Sequence, residues 1–276
     1  MLIIFPVCRF RLVPVVTHRW YYSSRITAVK SIIFCSNFAA AEQKSWYKFK
    51  PHEAIYHLSI GKVSNSSKVH NIIGEMHLTT KFSCDGWIVN QNTTVDMTDK
   101  NGSQMRNIFR YSIWESKNHD ALRFMSKTIV NNIEVSSYEG EAYIKGGIGK
   151  IIYISPHNKV INIPSDTLFP MKHFLVSLYD IKDKNFANYT VFTGEDYDSL
   201  NNVSSFSKIA LIKGNLFKVI RSASYNYFEN TIRPENEIEI IVDSETGVVK
   251  KVIFDYVEYQ VIGELKAIKY YEKPKC

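Results

Sequence analysis

The chain has 276 residues, enough for one large domain or two small ones, and its 45% hydrophobic and 13% aromatic content can fill a sizeable core. Its formal net charge of +7 does not indicate a nucleic-acid-binding protein, because residues 1–41 carry five basic side chains and no acidic one. The rest of the chain holds 29 basic and 27 acidic side chains, a net charge of +2, so we expect no nucleic-acid partner.

The first 41 residues have the order of a secretory signal rather than of folded structure. Arg25 and Lys30 precede the apolar run 31–35, and the small residues 39–41 follow where an Ala-x-Ala cleavage site would lie. The apolar run is too short to span a bilayer. We therefore expect a leader at residues 1–41 and a single exported domain at residues 42–276.

Two other interpretations of the leader stay open. An arginine-rich segment without acidic residues is also typical of a mitochondrial transit peptide. Lipidation at Cys35 is a further alternative, but the bulky Phe34 precedes it where lipoprotein signals prefer a small residue.

Beyond residue 50, apolar and polar residues alternate with the two-residue period of β-strands. Turn residues such as 99–102, 146–147 and 244–247 separate these runs. The predicted strands are 72–80, 86–95, 109–114, 121–128, 133–143, 150–154, 159–163, 189–193, 205–212, 218–225, 237–242, 248–255 and 259–270, and residues 52–57 also suit a strand.

One helix is predicted, from Pro170 to about Asp180, because proline is well suited to the first helical turn. Phe174 and Leu178 could supply its buried stripe. About a dozen strands, one helix and no long linker predict an all-β fold, a single closed or nearly closed antiparallel β-barrel with the helix packed on it or in it. Closure would remove exposed strand edges.

The chain contains four cysteines, and two of them, Cys8 and Cys35, lie within the predicted leader. An exported chain would keep Cys84 and Cys276. These two either form a disulfide that ties the end of the chain to an early strand, or stay as unpaired thiols. A bridge would close a loop of roughly 190 residues, which the chain-entropy model values at about 5 kcal/mol as an upper estimate.

Several short motifs follow one another between about residue 50 and residue 200. They are Pro51–Tyr56 (PHEAIY), Gly74–Met76 (GEM), Cys84–Trp87 (CDGW), Trp114–Ser116 (WES), Leu122–Phe124 (LRF), Tyr138–Ala142 (YEGEA) and Leu168–His173 (LFPMKH). As an ordered set, they resemble the EipB-type cell-envelope integrity proteins of α-proteobacteria. The segment 205–269 matches that family more loosely.

The resemblance implies a periplasmic, nearly spherical β-barrel, similar in shape to the LolA and LolB lipoprotein carriers. It implies a role in envelope integrity and a disulfide between Cys84 and Cys276. It implies no known reaction and no established ligand.

The other motif residues are interpreted as structural. Gly86 would permit a tight backbone before Trp87, and Trp87 and Trp114 are expected to anchor the core. Asp85 could accept hydrogen bonds from backbone amides in its turn. Pro170 is expected to begin the helix.

No active site is visible in the sequence. The carboxylates of Asp85, Glu115, Asp120 and Glu141 form no recognisable acid–base pair, and we expect them at solvent-exposed strand ends. His173 is expected to pack against the core or cap the helix. We therefore predict no catalytic residue, no metal site and no cofactor.

These observations predict a non-enzymatic periplasmic protein that supports the cell envelope. It would act by binding a lipid or lipoprotein-like hydrophobic ligand, or as a scaffold for envelope proteins whose core is filled by its own side chains. A hydrolase acting on envelope glycans or lipids is a remote alternative, and it would need carboxylates that the fold brings together. Any membrane contact is expected to be peripheral.

Overall fold

The computed structural model describes residues 48–276, and the predicted leader at residues 1–41 lies outside the described residues. The described residues form fourteen β-strands and one α-helix, α1 (Pro170–Tyr179). The strands are β1 (His52–Val63), β2 (Val69–Ser83), β3 (Gly86–Asp99), β4 (Gln104–Ser116), β5 (Ala121–Val130), β6 (Ile133–Lys145), β7 (Ile148–Ser155), β8 (Lys159–Ile163), β9 (Asn185–Phe192), β10 (Leu200–Ile212), β11 (Asn215–Asn226), β12 (Asn236–Val242), β13 (Val249–Asp255) and β14 (Tyr259–Tyr270).

All fourteen strands belong to one antiparallel sheet, in the order β8-β7-β6-β5-β4-β3-β2-β1-β14-β13-β12-β11-β10-β9. Strands β1 to β8 form one meander and strands β9 to β14 form a second. The two meanders join where β1 pairs with β14, in a register that runs from His52 opposite Tyr270 to Val63 opposite Tyr259. The prediction of an all-β antiparallel fold with one helix is confirmed for the part of the chain that the structure describes.

Strands β8 and β9 are the two edges of the sheet and are not paired with each other. The sheet nevertheless curls until its two halves meet. At this meeting point, side chains of the first meander form hydrogen bonds with the segment after β9. The Tyr111 hydroxyl donates to the Thr193 carbonyl oxygen at 2.5 Å, and the Tyr153 hydroxyl donates to that of Asp196 at 2.7 Å. The fold is therefore an open sheet with a barrel-like curl, and the predicted closed barrel is not confirmed.

The connection between the two edges carries α1 into the interior of the curled sheet. Met171, Phe174, Leu175 and Leu178 are buried, and the Phe174 ring lies 5.8 Å from that of Phe49, between centroids. The sequence favours a helix here because Pro170 occupies the first turn and β-branched residues are nearly absent. A ten-residue helix is too short to be stable alone in water, so it depends on this packing.

Candidate functional site

The C-terminal tail crosses β1 and ends at the β2–β3 turn. The sulfur atoms of Cys84 and Cys276 are 2.14 Å apart and their Cα atoms 5.5 Å apart, so the predicted cysteine pair lies at disulfide distance. Tyr271 holds the tail in place, because its amide donates to the Pro51 carbonyl oxygen at 2.8 Å and its hydroxyl to Glu53 Oε2 at 2.6 Å. The bond thus fastens the second meander to the first at an exposed corner.

Gly86 and Trp87 begin β3 directly after this turn. A Cβ atom on Gly86 would lie 2.2 Å from the Glu115 carbonyl oxygen, so only glycine lets β3 and β4 approach this closely. Trp87 is 6% exposed, and its ring meets the Phe49 ring edge-on with 5.2 Å between centroids. These two residues therefore shape the corner of the core that lies beneath the disulfide.

Trp114 does not pack in the core as Trp87 does, contrary to expectation. In the β3–β4 register, Trp87 is opposite Glu115, and Trp114 is opposite Ile88. Because side chains alternate between the two faces of a sheet, Trp114 points to the outer face. It is only half-buried there, and the Arg123 guanidinium lies over its ring at 5.4 Å.

Glu115 is completely buried, so the expectation of a solvent-exposed strand end is wrong for this residue. It continues the inward face of β4 one step beyond Ile113. Its Oε2 accepts a hydrogen bond from the Met171 amide at 2.7 Å, and its Oε1 accepts one from the Lys172 amide at 2.9 Å and another from His119 Nδ1. The carboxylate therefore satisfies two free amides of the first turn of α1 and opposes the positive end of the helix dipole.

The other end of α1 meets a buried cation. Lys218 on β11 is 8% exposed, and its ammonium group donates to the carbonyl oxygen of Leu178 and, at 2.7 Å, to that of Ile181. Burial lowers the pKa of Lys218, while the charges of Asp180 and Asp183 act in the opposite direction. An anion from β4 and a cation from β11 thus hold the two ends of one short helix.

Polar side chains also line the contact of α1 with β10 and β11. His173 Nε2 lies 3.5 Å from Ser205 Oγ, which is 2.8 Å from Ser222 Oγ, and all three residues are buried. Burial lowers the pKa of His173 to about 3, so its imidazole is neutral near pH 7. The histidine–serine contact has the residue types of a nucleophilic pair, but both side chains are buried and are not exposed to a substrate in this conformation.

A small cavity of about 40 Å³ lies between β10, β11, β12, β13 and the segment after β9, with Glu195 and Glu237 in its wall. Glu195 keeps some contact with solvent, but protein surrounds most of its carboxyl group. This desolvation, followed by the charge of Asp196, raises the pKa of Glu195 to about 8, although the Thr193 hydroxyl donates to it at 2.9 Å. Glu237 accepts instead from the Arg221 guanidinium.

The structure brings some of the predicted site residues together and separates others. Gly86 and Trp87 lie beside Glu115, which in turn contacts the helix that Pro170 begins. The Asp85 side chain is exposed and accepts from the Ser83 hydroxyl, which lowers the pKa of Asp85. Trp114, which was expected to anchor the core, lies on the outer face of the sheet instead.

Sequence reasoning missed the charged groups of the interior, although a signal existed for one of them. The alternation of Phe109, Tyr111 and Ile113 places Glu115 on the same inward face. For Lys218 and Glu195 we find no comparable pattern in the sequence.

Residues 48–276 contain neither a candidate metal-binding cluster nor a helix that could span a membrane. Within this range, no group of three or more His, Cys, Asp and Glu side chains is arranged to hold a metal ion. Among the described helical residues, none belong to a helix with the length and apolar character needed to cross a bilayer.

A family model for EipB-like proteins matches residues 43–213, which is more than half of the chain. The chain belongs to the EipB-like family. The predicted family is thereby confirmed. The cell envelope integrity protein EipB of Brucella abortus (strain 2308) is 27% identical to the chain over 156 residues, which cover 54% of this chain and 55% of that protein. The chain thus spans little more than half the length of this curated relative.

The fold has a solved counterpart in the crystal structure of a beta-barrel-like protein of a domain of unknown function from Brucella abortus. The two structures agree with a TM-score of 0.74 at 20% sequence identity, over 81% of this chain and 99% of the other. At this identity the likeness establishes the fold alone, and it supports the description of the sheet as barrel-like.

The disulfide is expected to stabilise the fold by closing a long loop. Cys84→Ser should lower the free energy of unfolding in non-reducing buffer by up to about 5 kcal/mol, and Cys276→Ser should lower it equally, because both open the same loop. In reducing buffer the two variants and the parent should unfold alike. Urea unfolding under both conditions tests this, and an unchanged curve for Cys84→Ser without reductant would contradict it.

Glu115→Gln keeps the size of the side chain but removes the charge that faces the helix. We expect it to lower the free energy of unfolding by about 2–3 kcal/mol, since hydrogen bonds to charged groups contribute about 1.5–3 kcal/mol. Glu141→Gln, on an exposed position of β6, is the matched control and should change the stability by less than about 0.5 kcal/mol. Equal effects of both substitutions in urea unfolding would show that Glu115 does not hold the helix.

Glu195 should make stability depend on pH. Its pKa is raised from 4.5 to about 8 in the folded protein, so between these values the folded state binds more protons than the unfolded state. Stability should therefore fall as pH rises from about 4.5 to 8, and Glu195→Gln should flatten this slope.

Thermal melts from pH 4.5 to 8.5 measure this slope. The exposed Glu245→Gln variant serves as the control and should retain the slope of the parent protein. A slope that is identical in Glu195→Gln and the parent would refute the assignment to Glu195.

Proposed function

We propose that this protein is a non-enzymatic protein of the periplasm that supports the integrity of the cell envelope as an interaction scaffold. Membership in the EipB-like family supports the envelope role, as does the name of the Brucella relative. The cysteine pair at disulfide distance supports an oxidising compartment outside the cytosol.

The observation that favours a scaffold over a lipid carrier is the filled interior. Helix α1 and the aromatic side chains of both meanders pack inside the curled sheet, and the cavity beside Glu195 measures only about 40 Å³. Three larger concavities, of about 550–590 Å³, are open surface grooves lined mainly by exposed or half-buried side chains. Pockets for drug-sized ligands usually measure about 300–1,000 Å³. An acyl chain would therefore have to displace α1, which buried charges hold at both ends. We also infer that the curled sheet behaves as a nearly closed barrel. Helix α1 fills its interior, and the segment after β9 packs against the first meander.

A hydrolase is the second candidate, because one observation favours it. Glu195, with a raised pKa, and Glu237, beside Arg221, share the wall of one cavity. A carboxyl group with a raised pKa beside a second carboxylate is a common acid–base arrangement. The size of the cavity argues against a sugar or lipid substrate in this conformation.

Deleting the gene in the native host tests the envelope role. The deletion strain should become more sensitive to a membrane-disrupting detergent such as deoxycholate, and the parent gene should restore resistance. If the protein is a scaffold, a gene carrying Glu195→Gln should restore detergent resistance as well as the parent gene does. If the protein is a hydrolase, this variant should fail to restore resistance even when it is present at normal levels. A deletion strain as resistant as its parent would refute the envelope role.

The compartment is tested on the same strains by osmotic-shock fractionation, with thiols alkylated before any reduction. The protein should appear in the periplasmic fraction with both Cys84 and Cys276 unmodified. Recovery in the cytosolic fraction with two alkylated thiols would contradict the proposed location.

A further inference from the structure

The β10–β11 hairpin projects beyond the strands on both sides of it. The pairing of β9 with β10 ends where Asn185 lies opposite Ser207, and the pairing of β12 with β11 ends at Lys218. Residues 210–217 therefore pair only with each other, and residues 208–209 pair only with β11. At about 3.3 Å per residue, the three paired residues of each arm extend roughly 10 Å past the end of the β12 pairing, and the two-residue turn lies beyond them.

This projecting tip carries apolar side chains that the protein does not cover. Leu211 and Leu216 are directly opposite each other and are 71% and 68% exposed, and Ile209 on the same face is 57% exposed. Phe186 at the start of the neighbouring β9 is 72% exposed, and its ring stands 4.9 Å from that of Phe206. Phe186 is paired with Phe206 and therefore lies on the opposite face of the sheet from Ile209 and Leu211. The tip thus exposes large apolar side chains on both of its faces, which favours contact with another apolar phase.

Hydrogen bonds tie the base of the tip to α1 and to the segment before β9. The buried Lys218 ends the shared pairing and is bonded to the C-terminal end of α1. Asp183 accepts a hydrogen bond from the Ile209 amide at 2.7 Å, and the Lys184 amide donates to the Ser207 carbonyl oxygen at 2.6 Å. The apolar side chains are thus presented on a support that is tied to the rest of the fold.

Positive charge surrounds these apolar residues. Segments 182–186 and 208–216 together contain four exposed lysines, Lys182, Lys184, Lys208 and Lys213, and a single acidic residue, Asp183. Lys213 occupies the first position of the two-residue turn at φ 50°, followed by Gly214 at φ 81°. Asn, Asp and Gly are usually preferred at the first position of such turns, so this chain presents a cation at the outermost point.

We propose that this tip, residues 182–186 and 208–217, docks the protein on the surface of a bilayer rich in anionic lipid. Apolar side chains ringed by lysines match the two layers of such a surface, because the apolar groups enter the acyl boundary and the ammonium groups meet the anionic headgroups. The proposal deepens the envelope role and rests on it, since it names a bilayer as the surface that the scaffold contacts.

Co-sedimentation of the purified protein with vesicles tests this contact. Binding to vesicles containing phosphatidylglycerol should exceed binding to pure phosphatidylcholine by about tenfold or more, since each surface lysine adds to the attraction. It should weaken strongly at 0.5 M NaCl, where charges are screened over a few ångströms. Equal binding to both vesicle types, or binding to neither, would overturn the proposal.

Two double variants test the residues involved. Leu211→Asn/Leu216→Asn and Lys208→Glu/Lys213→Glu should each reduce binding to anionic vesicles by about tenfold or more. The control variant is Ile133→Asn/Val135→Asn, at the start of β6 in the β5–β6 hairpin, where the two apolar side chains are 68% and 55% exposed. It should bind anionic vesicles as the parent does. Circular dichroism melts establish that each variant is folded, which the exposure of all six positions favours.

Another occupant of the tip would give a different pattern. If a second copy covers it, sedimentation will show a dimer that Leu211→Asn/Leu216→Asn dissociates, without vesicle binding by the parent, and the membrane proposal will be overturned. The assay uses only purified protein, so a negative result overturns the membrane contact alone. The deletion strain decides the envelope role separately.

Discussion

The fold depends on how a short buried helix finds partners for its two polar ends. A ten-residue helix enclosed by a sheet leaves amides at one end and carbonyl groups at the other without partners inside the helix. Glu115, from the first meander, accepts from the amides, and Lys218, from the second, donates to the carbonyl oxygens. Because the two charges come from different halves of the sheet and match the helix dipole, the helix links the halves across the interior. Without this match the apolar face of α1 would be buried at the expense of unsatisfied polar groups.

Buried and exposed side chains of this protein have different roles. The buried ones stabilise the fold, and the exposed ones are available for contacts with other molecules. The interior is occupied by α1 and by aromatic rings, and the buried charges of Glu115 and Lys218 bind the ends of the helix, so these charges serve the fold. The exterior carries the features that no internal contact explains, above all the β10–β11 tip with its exposed leucines and lysines. This distribution supports the proposal that the protein acts through its surface.

The local sequence pattern predicts the strands and the helix, and the family motifs predict membership in the EipB-like family. Neither predicts the interior contacts that link the two meanders. Alternation identifies β4 because every second residue from Phe109 to Ile113 is hydrophobic and faces inward, and it also places Glu115 inward, where its carboxylate accepts hydrogen bonds from α1. Trp114 was misassigned because size suggested burial while parity in the β3–β4 register decides the face. The open edges at β8 and β9, the partner of Lys218 and the surroundings of Glu195 all arise from contacts distant in sequence, which no local pattern encodes.

The junction of β1 with β14 has a consequence for how the protein is made. Their pairing joins residues roughly 200 positions apart, in the middle of the sheet rather than at its rim. One neighbour of β1 is β2, the next strand in the chain, whereas its other neighbour is β14, the last strand, so one edge of β1 stays open until the second meander is in place. Such non-local pairing slows folding, and an open strand edge is a template for association with other chains. Until β14 pairs with β1, the half-formed sheet is therefore the species expected to aggregate most readily.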